Sequence, residues 1–148
     1  MQKPVINMDF YGCFGEEKRK CECRGICIHH TCTSSARRTR SALSKKGLST
    51  HFEVEKDGTI YQYRDERLLC SHCGSSNGKL IGIDITHLEG APFPEAQVQA
   101  VKDLVTWLCE KWEIPQEVHN HLSGIYPHRA LCSTKCPDNF DMSVLQGE

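Results

Sequence analysis

The sequence predicts a single α/β domain with a mixed central β-sheet flanked by helices. Three segments support this fold class: an apolar run at residues 80–85, an alternating hairpin at residues 51–63, and an amphipathic stretch at residues 94–112. Strands interspersed with helices are typical of such domains. A chain of 148 residues suits one domain with one core.

The first half of the chain predicts an arm, a strand, a helix and a hairpin, in that order. Residues 1–24 form a polar, cysteine-bearing arm, and the β-prone segment ICI then leads directly into His29. Polar residues 34–46 predict a helix, because a serine can cap its start and Gly47 stands where a helix often ends. In the hairpin, apolar and polar residues alternate on both sides of a Lys-Asp-Gly turn.

The second half predicts a central strand and a long helix. The segment LIGIDI at residues 80–85 is apolar at nearly every position except Asp84, which indicates a strand covered on both faces. Residues 94–112 place apolar side chains at three- and four-residue steps, so they form one stripe on a helix: Val98, Val101, Leu104, Val105, Leu108 and Trp112. The tail after Pro115 has little periodicity.

Composition excludes several classes of partner and location. The net charge of −1 provides no general attraction to nucleic acid or to anionic membranes. No apolar stretch is long enough to span a bilayer, so we expect no membrane insertion.

The N-terminus lacks the pattern of a signal peptide, and we therefore expect a protein that is cytoplasmic when made. We expect most of the ten cysteines to be reduced in that compartment.

Metal-binding side chains are concentrated at three places. These are His29-His30, the run Val118-His119-Asn120-His121, and Thr134-Lys135-Cys136-Pro137. Imidazole and thiolate groups suit zinc, and a catalytic zinc usually takes three protein ligands and leaves a fourth position for water. The three places together could supply such a set.

The chain resembles a known family in the segments that hold these residues. Five segments resemble motifs of the zinc-dependent N-acetylmuramoyl-L-alanine amidases and occur in the same order. They are ICIHHTCTS, LSTHFEVEKDGTIYQY, SHCGSSN, IGIDI and HLSG…TKCPDNFD. That family includes phage lysozyme-like amidases and peptidoglycan recognition proteins. The resemblance covers roughly residues 26–141 and implies a zinc amidase domain over residues 25–148, with the fold of that family.

The resemblance also assigns the metal ligands. His29, the first histidine of the His-His-Thr motif, matches the first zinc ligand, and Cys136 before Pro137 matches the last. The middle ligand is normally a histidine shortly after the long helix. His121 fits this position best, and the alternatives are His119 and His128.

Further site residues follow from the same comparison of motifs. Some branches of the family use a tyrosine where this chain has Thr50, and others place a glutamate in the central strand where it has Asp84. We therefore expect Asp84 to act as the general base and Thr134 to stabilise the oxyanion. His51 and His72 match residues that border the substrate cleft and are predicted to bind substrate.

The remaining cysteines leave three alternatives open. Cys21 or Cys23 could join Cys70 and Cys73 in a second, structural metal site. Disulfides within the arm are a second possibility. Free thiols are the third and are the one we favour.

The function implied by the resemblance is hydrolysis of the amide between N-acetylmuramic acid and L-alanine in peptidoglycan. A monomeric endolysin that acts on the cell wall after release is the main expectation. One alternative is an amidase that recycles muropeptides in the cytosol. The other is a module that binds peptidoglycan without cutting it, although such modules commonly lack the metal-binding cysteine that this chain retains at Cys136.

Overall fold

A computed structural model describes residues 1–15, 18–72, 74, 77–119 and 123–147. Two short 3-10 helices, His128–Ala130 and Met142–Leu145, come after the last strand. The strands and α-helices follow in the order β1 (Gly25–His30), α1 (Ala36–Lys46), β2 (Phe52–Val54), β3 (Ile60–Gln62), β4 (Leu80–Ile85), α2 (Glu95–Trp112) and β5 (Gly124–Pro127).

The five described strands form one mixed sheet, as predicted. Their spatial order is β3-β2-β4-β1-β5. β4 pairs in parallel with both β1 and β2, β1 also pairs in parallel with β5, and only the β2–β3 hairpin is antiparallel. The carboxyl ends of β1, β2, β4 and β5 therefore meet at the same edge of the sheet, where open α/β sheets commonly bind ligands.

The two central strands, β1 and β4, are buried along their whole length. Because side chains alternate across a strand, Ile81, Ile83 and Ile85 share one face of β4 while Gly82 and Asp84 share the other. The three isoleucines belong to the main hydrophobic core. The prediction of a strand covered on both faces is confirmed, but the two faces differ in chemistry.

Helix α2 covers the apolar face of the sheet. Val101, Leu104, Val105 and Leu108 are completely buried and pack into the same core as the strand isoleucines. Their three- and four-residue spacing keeps them on one side of the helix. None of the described helices is both long and apolar enough to pass through a bilayer.

Helix α1 begins and ends as its sequence predicts. The Ser35 hydroxyl accepts a hydrogen bond from the Arg38 amide, and Gly47 ends the helix in the left-handed conformation with φ of 67°. The start of α1 is fixed to β2 and to the residue after it. Thr39 Oγ1 donates to Glu53 Oε2 at 3.0 Å, and the Ala36 amide donates to Glu55 Oε1 at 2.6 Å.

Strand β5 and the N-terminal arm add features that sequence patterns did not predict. β5 is a four-residue strand at the edge of the sheet beside β1. The described part of residues 1–24 forms no helix or named strand. It is nevertheless attached to the domain through isolated bridges from Asn7 to Tyr61 and from Lys20 to Leu68.

We expect Leu104→Ala to lower the free energy of unfolding by about 2–5 kcal/mol, because it removes a fully buried side chain from the α2–sheet core. Leu48→Ala is the matched control, since Leu48 is 41% exposed. Urea unfolding followed by circular dichroism measures both variants. Equal losses in the two variants would contradict this account of the core.

Candidate functional site

Five of the predicted site residues line a cleft at the carboxyl edge of the sheet. The cleft has a volume of about 380 Å³ and is lined by residues that include His29, His72, Asp84, His128, Thr134 and Cys136. A second cavity of about 460 Å³ adjoins it and shares the lining residues Leu48, Ser49 and Ser71. The two adjoining cavities together are termed the groove.

The register of the central strands places His29 beside Asp84. These residues are direct partners in the parallel pairing of β1 with β4, and by alternation they point to the face opposite the isoleucines. On this face, the predicted first metal ligand and the predicted general base are neighbours because of backbone pairing alone.

His72 holds the ring of His29 in one orientation. His72 Nε2 lies 2.8 Å from the Leu80 carbonyl oxygen, so this nitrogen carries the proton and donates. His72 Nδ1 must then accept, and it lies 3.1 Å from His29 Nε2. His29 therefore donates through Nε2 and keeps the lone pair of Nδ1 for a ligand. Metal-binding histidines commonly donate their other N–H in this way.

Gly82 leaves the space that His72 occupies. A Cβ atom added at Gly82 would lie 2.3 Å from His72 Cε1 and 3.0 Å from both His72 Nδ1 and Thr50 Oγ1. The glycine in LIGIDI is thus required by the close approach of an imidazole ring to the strand.

His51 lies deeper than the sequence interpretation suggested. Its side chain is completely buried, its Nε2 is 2.6 Å from the Leu68 carbonyl oxygen, and its Nδ1 accepts from the Gly82 amide at 2.9 Å. Both ring nitrogens are engaged by the backbone. This geometry favours a structural role for His51 over direct contact with substrate.

His29, His128 and Cys136 each bring one ligand atom into a group whose atoms lie within 4.8 Å of one another. His128 directly follows β5. Because β5 pairs in parallel with β1, His128 reaches the same edge of the sheet as His29, and the centroids of the two rings are 4.5 Å apart. His128 Nε2 is buried and has no hydrogen-bond partner within the described ranges. An unpartnered buried nitrogen beside a histidine and a cysteine fits a metal site.

The predicted middle ligand, His121, lies outside the described residues. Among its alternatives, His128 joins the metal-binding group, whereas His119 is exposed and belongs to none of the groups found in the described ranges. A sequence signal for His128 does exist. It follows the β-prone residues Ile125 and Tyr126, just as His29 follows the segment ICI.

Cys136 is buried between two backbone segments. Its Sγ accepts a hydrogen bond from the His30 amide at 3.1 Å, and its own amide donates to Thr134 Oγ1 at 3.2 Å. Burial raises the pKa of the Cys136 thiol to about 12. The proton therefore stays on the sulfur at neutral pH unless a cation replaces it, as metals do when they bind thiolates.

Burial also lowers the pKa of His29 well below its usual value, which keeps the imidazole neutral and able to bind metal.

Asp84 has the properties of a tuned general base. Its side chain lines the cleft, and burial together with the nearby Glu53 raises its pKa to about 8. The Thr50 hydroxyl lies 3.2 Å from Asp84 Oδ1 and donates to it, which opposes this rise. The hydroxyl of Thr50 thus supports the ionised form of the carboxylate.

The second, structural metal site stays a prediction, because it includes Cys73. Cys21, Cys23 and Cys70 are free, and none of them belongs to a candidate metal group within the described ranges. Cys73 lies outside those ranges. Among the described cysteines, eight are free thiols and Cys132 is disulfide-bonded, in agreement with the expectation that most are reduced.

Comparison with protein families gives a match over most of the chain. Residues 19–139 match the model of the Amidase_2 family, described as N-acetylmuramoyl-L-alanine amidase. No curated protein sequence matches the chain.

Solved structures with the same fold extend over nearly the whole chain. The amidase LysC from Clostridium intestinale URNW has a TM-score of 0.81 at 23% identity, covering 96% of this chain and 95% of its own. The endolysin amidase LysCS from the same organism has a TM-score of 0.78 at 24% identity, covering 93% and 90%. A mutant of Drosophila PGRP-LB in complex with tracheal cytotoxin has a TM-score of 0.64 at 20% identity, covering 86% and 82%. These likenesses establish the fold.

We expect Gly82→Ala to weaken zinc binding by about 10- to 100-fold, because the new methyl group displaces His72 and releases the ring of His29. Gly78→Ala is the control, since a Cβ at Gly78 meets only Leu69 Cδ1 at an ordinary 3.7 Å. Competitive titration with a zinc chelator measures both affinities. An unchanged affinity in Gly82→Ala would show that His72 does not support the site.

Proposed function

The chain belongs to the N-acetylmuramoyl-L-alanine amidase family, and we propose that it is a zinc-dependent hydrolase that cleaves the amide between N-acetylmuramic acid and L-alanine. One observation carries the proposal. A His-His-Cys group converges beside a buried carboxylate in an open cleft, with Asp84 next to His29 in the sheet. This combination suits metal-assisted hydrolysis.

His29, His128 and Cys136 are the proposed zinc ligands. Two neutral imidazoles and one buried thiol form a donor set typical of zinc, with a fourth position left for water. When bound, zinc polarises the amide carbonyl and makes water acidic enough to be deprotonated near neutral pH. His128 replaces His121 in the proposed set because it shares the strand edge with His29.

Asp84 is the proposed general base. Its carboxylate faces the cleft, takes a proton from the attacking water and returns it to the leaving amine. The nearby hydroxyl of Thr50 keeps one carboxylate oxygen in place. Burial supports this role, because a carboxylate with a raised pKa is a stronger base than an exposed one.

Thr134 is the proposed oxyanion donor. Its hydroxyl oxygen accepts from the Cys136 amide, which orients the side chain at the rim of the cleft and leaves the hydroxyl proton free for a substrate oxygen. A donor aimed at the developing negative charge lowers the barrier to amide hydrolysis.

The size of the groove supports a glycopeptide substrate. The second cavity adds about 460 Å³ beside the cleft, and its lining includes Arg19 and Arg64. The similar Drosophila protein was solved with tracheal cytotoxin. We propose a wall-lytic endolysin role, and the alternative is a recycling amidase that acts on soluble muropeptides.

We expect His128→Ala to lose bound zinc and amidase activity, whereas His121→Ala should keep both. Zinc content is measured by atomic absorption. Activity is measured as loss of turbidity of purified cell walls and, in parallel, as release of the peptide stem from a soluble muropeptide. Zinc loss in His121→Ala with zinc retained in His128→Ala would reverse the ligand assignment. Wild-type protein that holds zinc but cleaves neither substrate would overturn the amidase proposal, and cleavage of the muropeptide alone would favour recycling.

We expect Thr50→Val to move the acidic limb of the kcat/KM profile to higher pH. Asp84 accepts a proton only when ionised, and the Thr50 hydroxyl favours the ionised form. Removing the hydroxyl therefore raises the pKa of Asp84, so a higher pH is needed for activity. Thr106→Val, on helix α2, is the control and should leave the limb in place. An unchanged profile in Thr50→Val would show that the ionisation of Asp84 does not determine the acidic limb.

A further inference from the structure

We propose that His30, Cys32 and Glu89 form a second metal site, for a divalent cation of the zinc class. The proposal concerns binding at residues outside the ligand set described above and does not depend on amidase activity. Each of the three residues offers one ligand atom, and these atoms lie within 4.8 Å of one another.

The distances between the ligand atoms match those of a small tetrahedral site. Cys32 Sγ lies 3.2 Å from His30 Nε2 and 4.0 Å from Glu89 Oε1, and His30 Nε2 lies 3.6 Å from Glu89 Oε1. Zinc bonds of about 2.0–2.3 Å at tetrahedral angles separate neighbouring ligand atoms by roughly 3.3–3.8 Å. The observed triangle needs only side-chain adjustments of a few tenths of an ångström.

The donor types select the class of ion. An imidazole nitrogen, a thiol sulfur and a carboxylate oxygen together suit zinc and related transition metals. Calcium and magnesium prefer oxygen ligands alone, so they are poor candidates for this set.

The site combines one fixed ligand with two accessible ones. The His30 side chain is only 3% exposed and is held at the end of β1, whereas Glu89 is 59% exposed and Cys32 is also exposed. A cation can therefore enter from solvent and draw the two flexible side chains onto the rigid imidazole.

The local charge favours a cation. The carboxylates of Glu89 and Asp138 both act on His30 and on Cys32. Lys46 opposes them at Cys32, and His87 opposes them at His30. Glu89 is itself one of the proposed ligands, so its negative charge lies at the site and attracts a divalent ion there.

The second site lies beside the first, but the two use side chains on opposite faces of β1. His29 and His30 are consecutive, so their side chains leave opposite faces of the strand. The His30 amide donates to Cys136 Sγ, while the His30 ring faces Cys32 and Glu89. Both sites open into the same cleft.

The test compares metal content in chelator-stripped protein reloaded with zinc and passed through a desalting column. Wild-type protein should hold two zinc ions per chain, and Cys32→Ser and Glu89→Gln should each hold one. Cys13→Ser is the matched control, because Cys13 is also an exposed free cysteine, and it should hold two. One ion in wild-type protein and an equal content in Cys32→Ser would overturn the proposal.

Cobalt loading separates this site from the proposed amidase site. Cys136→Ser, checked for folding by circular dichroism, should still bind one cobalt ion with a thiolate-to-metal charge-transfer band, and adding Cys32→Ser should remove that band. Persistence of the band in the double variant would overturn the second site. Loss of the band in Cys136→Ser alone would do the same, while leaving the amidase proposal intact.

Discussion

The pairing of β1 with β4 is the constraint on which the rest of the molecule depends. Both strands are buried on both faces, and their register makes His29 the direct partner of Asp84. One face of β4 supplies isoleucines to the core beneath α2, and that burial stabilises the domain. The other face carries polar groups at the same depth. The hydrophobic core thus fixes the spacing of the site without taking part in its chemistry.

Polar groups held inside a sheet need partners, and the fold supplies them from several elements. Glu53, next to Asp84 in register, accepts hydrogen bonds from three hydroxyl groups, those of Thr39, Tyr63 and Thr86. A carboxylate can only accept, so three donors satisfy it without a counter-ion. Its remaining negative charge raises the pKa of Asp84. The side chains that stabilise one buried carboxylate therefore also act indirectly on the pKa of Asp84, the proposed general base.

Local patterns predicted the parts of the fold that local forces determine. The strand LIGIDI, the hairpin and the stripe of α2 were all visible as periodicity, and Ser35 and Gly47 bound α1 as capping rules require. Strand β5 was missed because it has four residues, begins with glycine, ends with proline and gains its stability from pairing with β1 far away in sequence. The sequence offered no reason to place it in the sheet.

The missed strand explains why His128 was not ranked first for the middle ligand, a choice that stays a prediction because His121 lies outside the described residues. Motif context identified His29, Asp84 and Cys136 as site residues, and the structure brings all three to one cleft. The middle ligand was sought by its distance from the long helix, which favoured His121. The physical criterion is arrival at the carboxyl edge of the sheet, and β5 meets it for His128. In the same way, only coordinates could show that His72 orients His29, because a hydrogen bond between side chains 43 positions apart leaves no local pattern.

The last two residues of β1, His29 and His30, belong to the two proposed metal sites. The His29 ring faces the cleft beside Asp84, and the His30 ring faces Cys32 and Glu89 on the other side of the strand. Between them, the His30 amide donates to Cys136 Sγ, so movement of His30 changes the hydrogen bond to a ligand of the proposed zinc. Two cations in one cleft also repel each other. An ion at the proposed His30 site would therefore bind less tightly with the proposed His29 site filled than with it empty, so the shared strand end couples the two proposed sites.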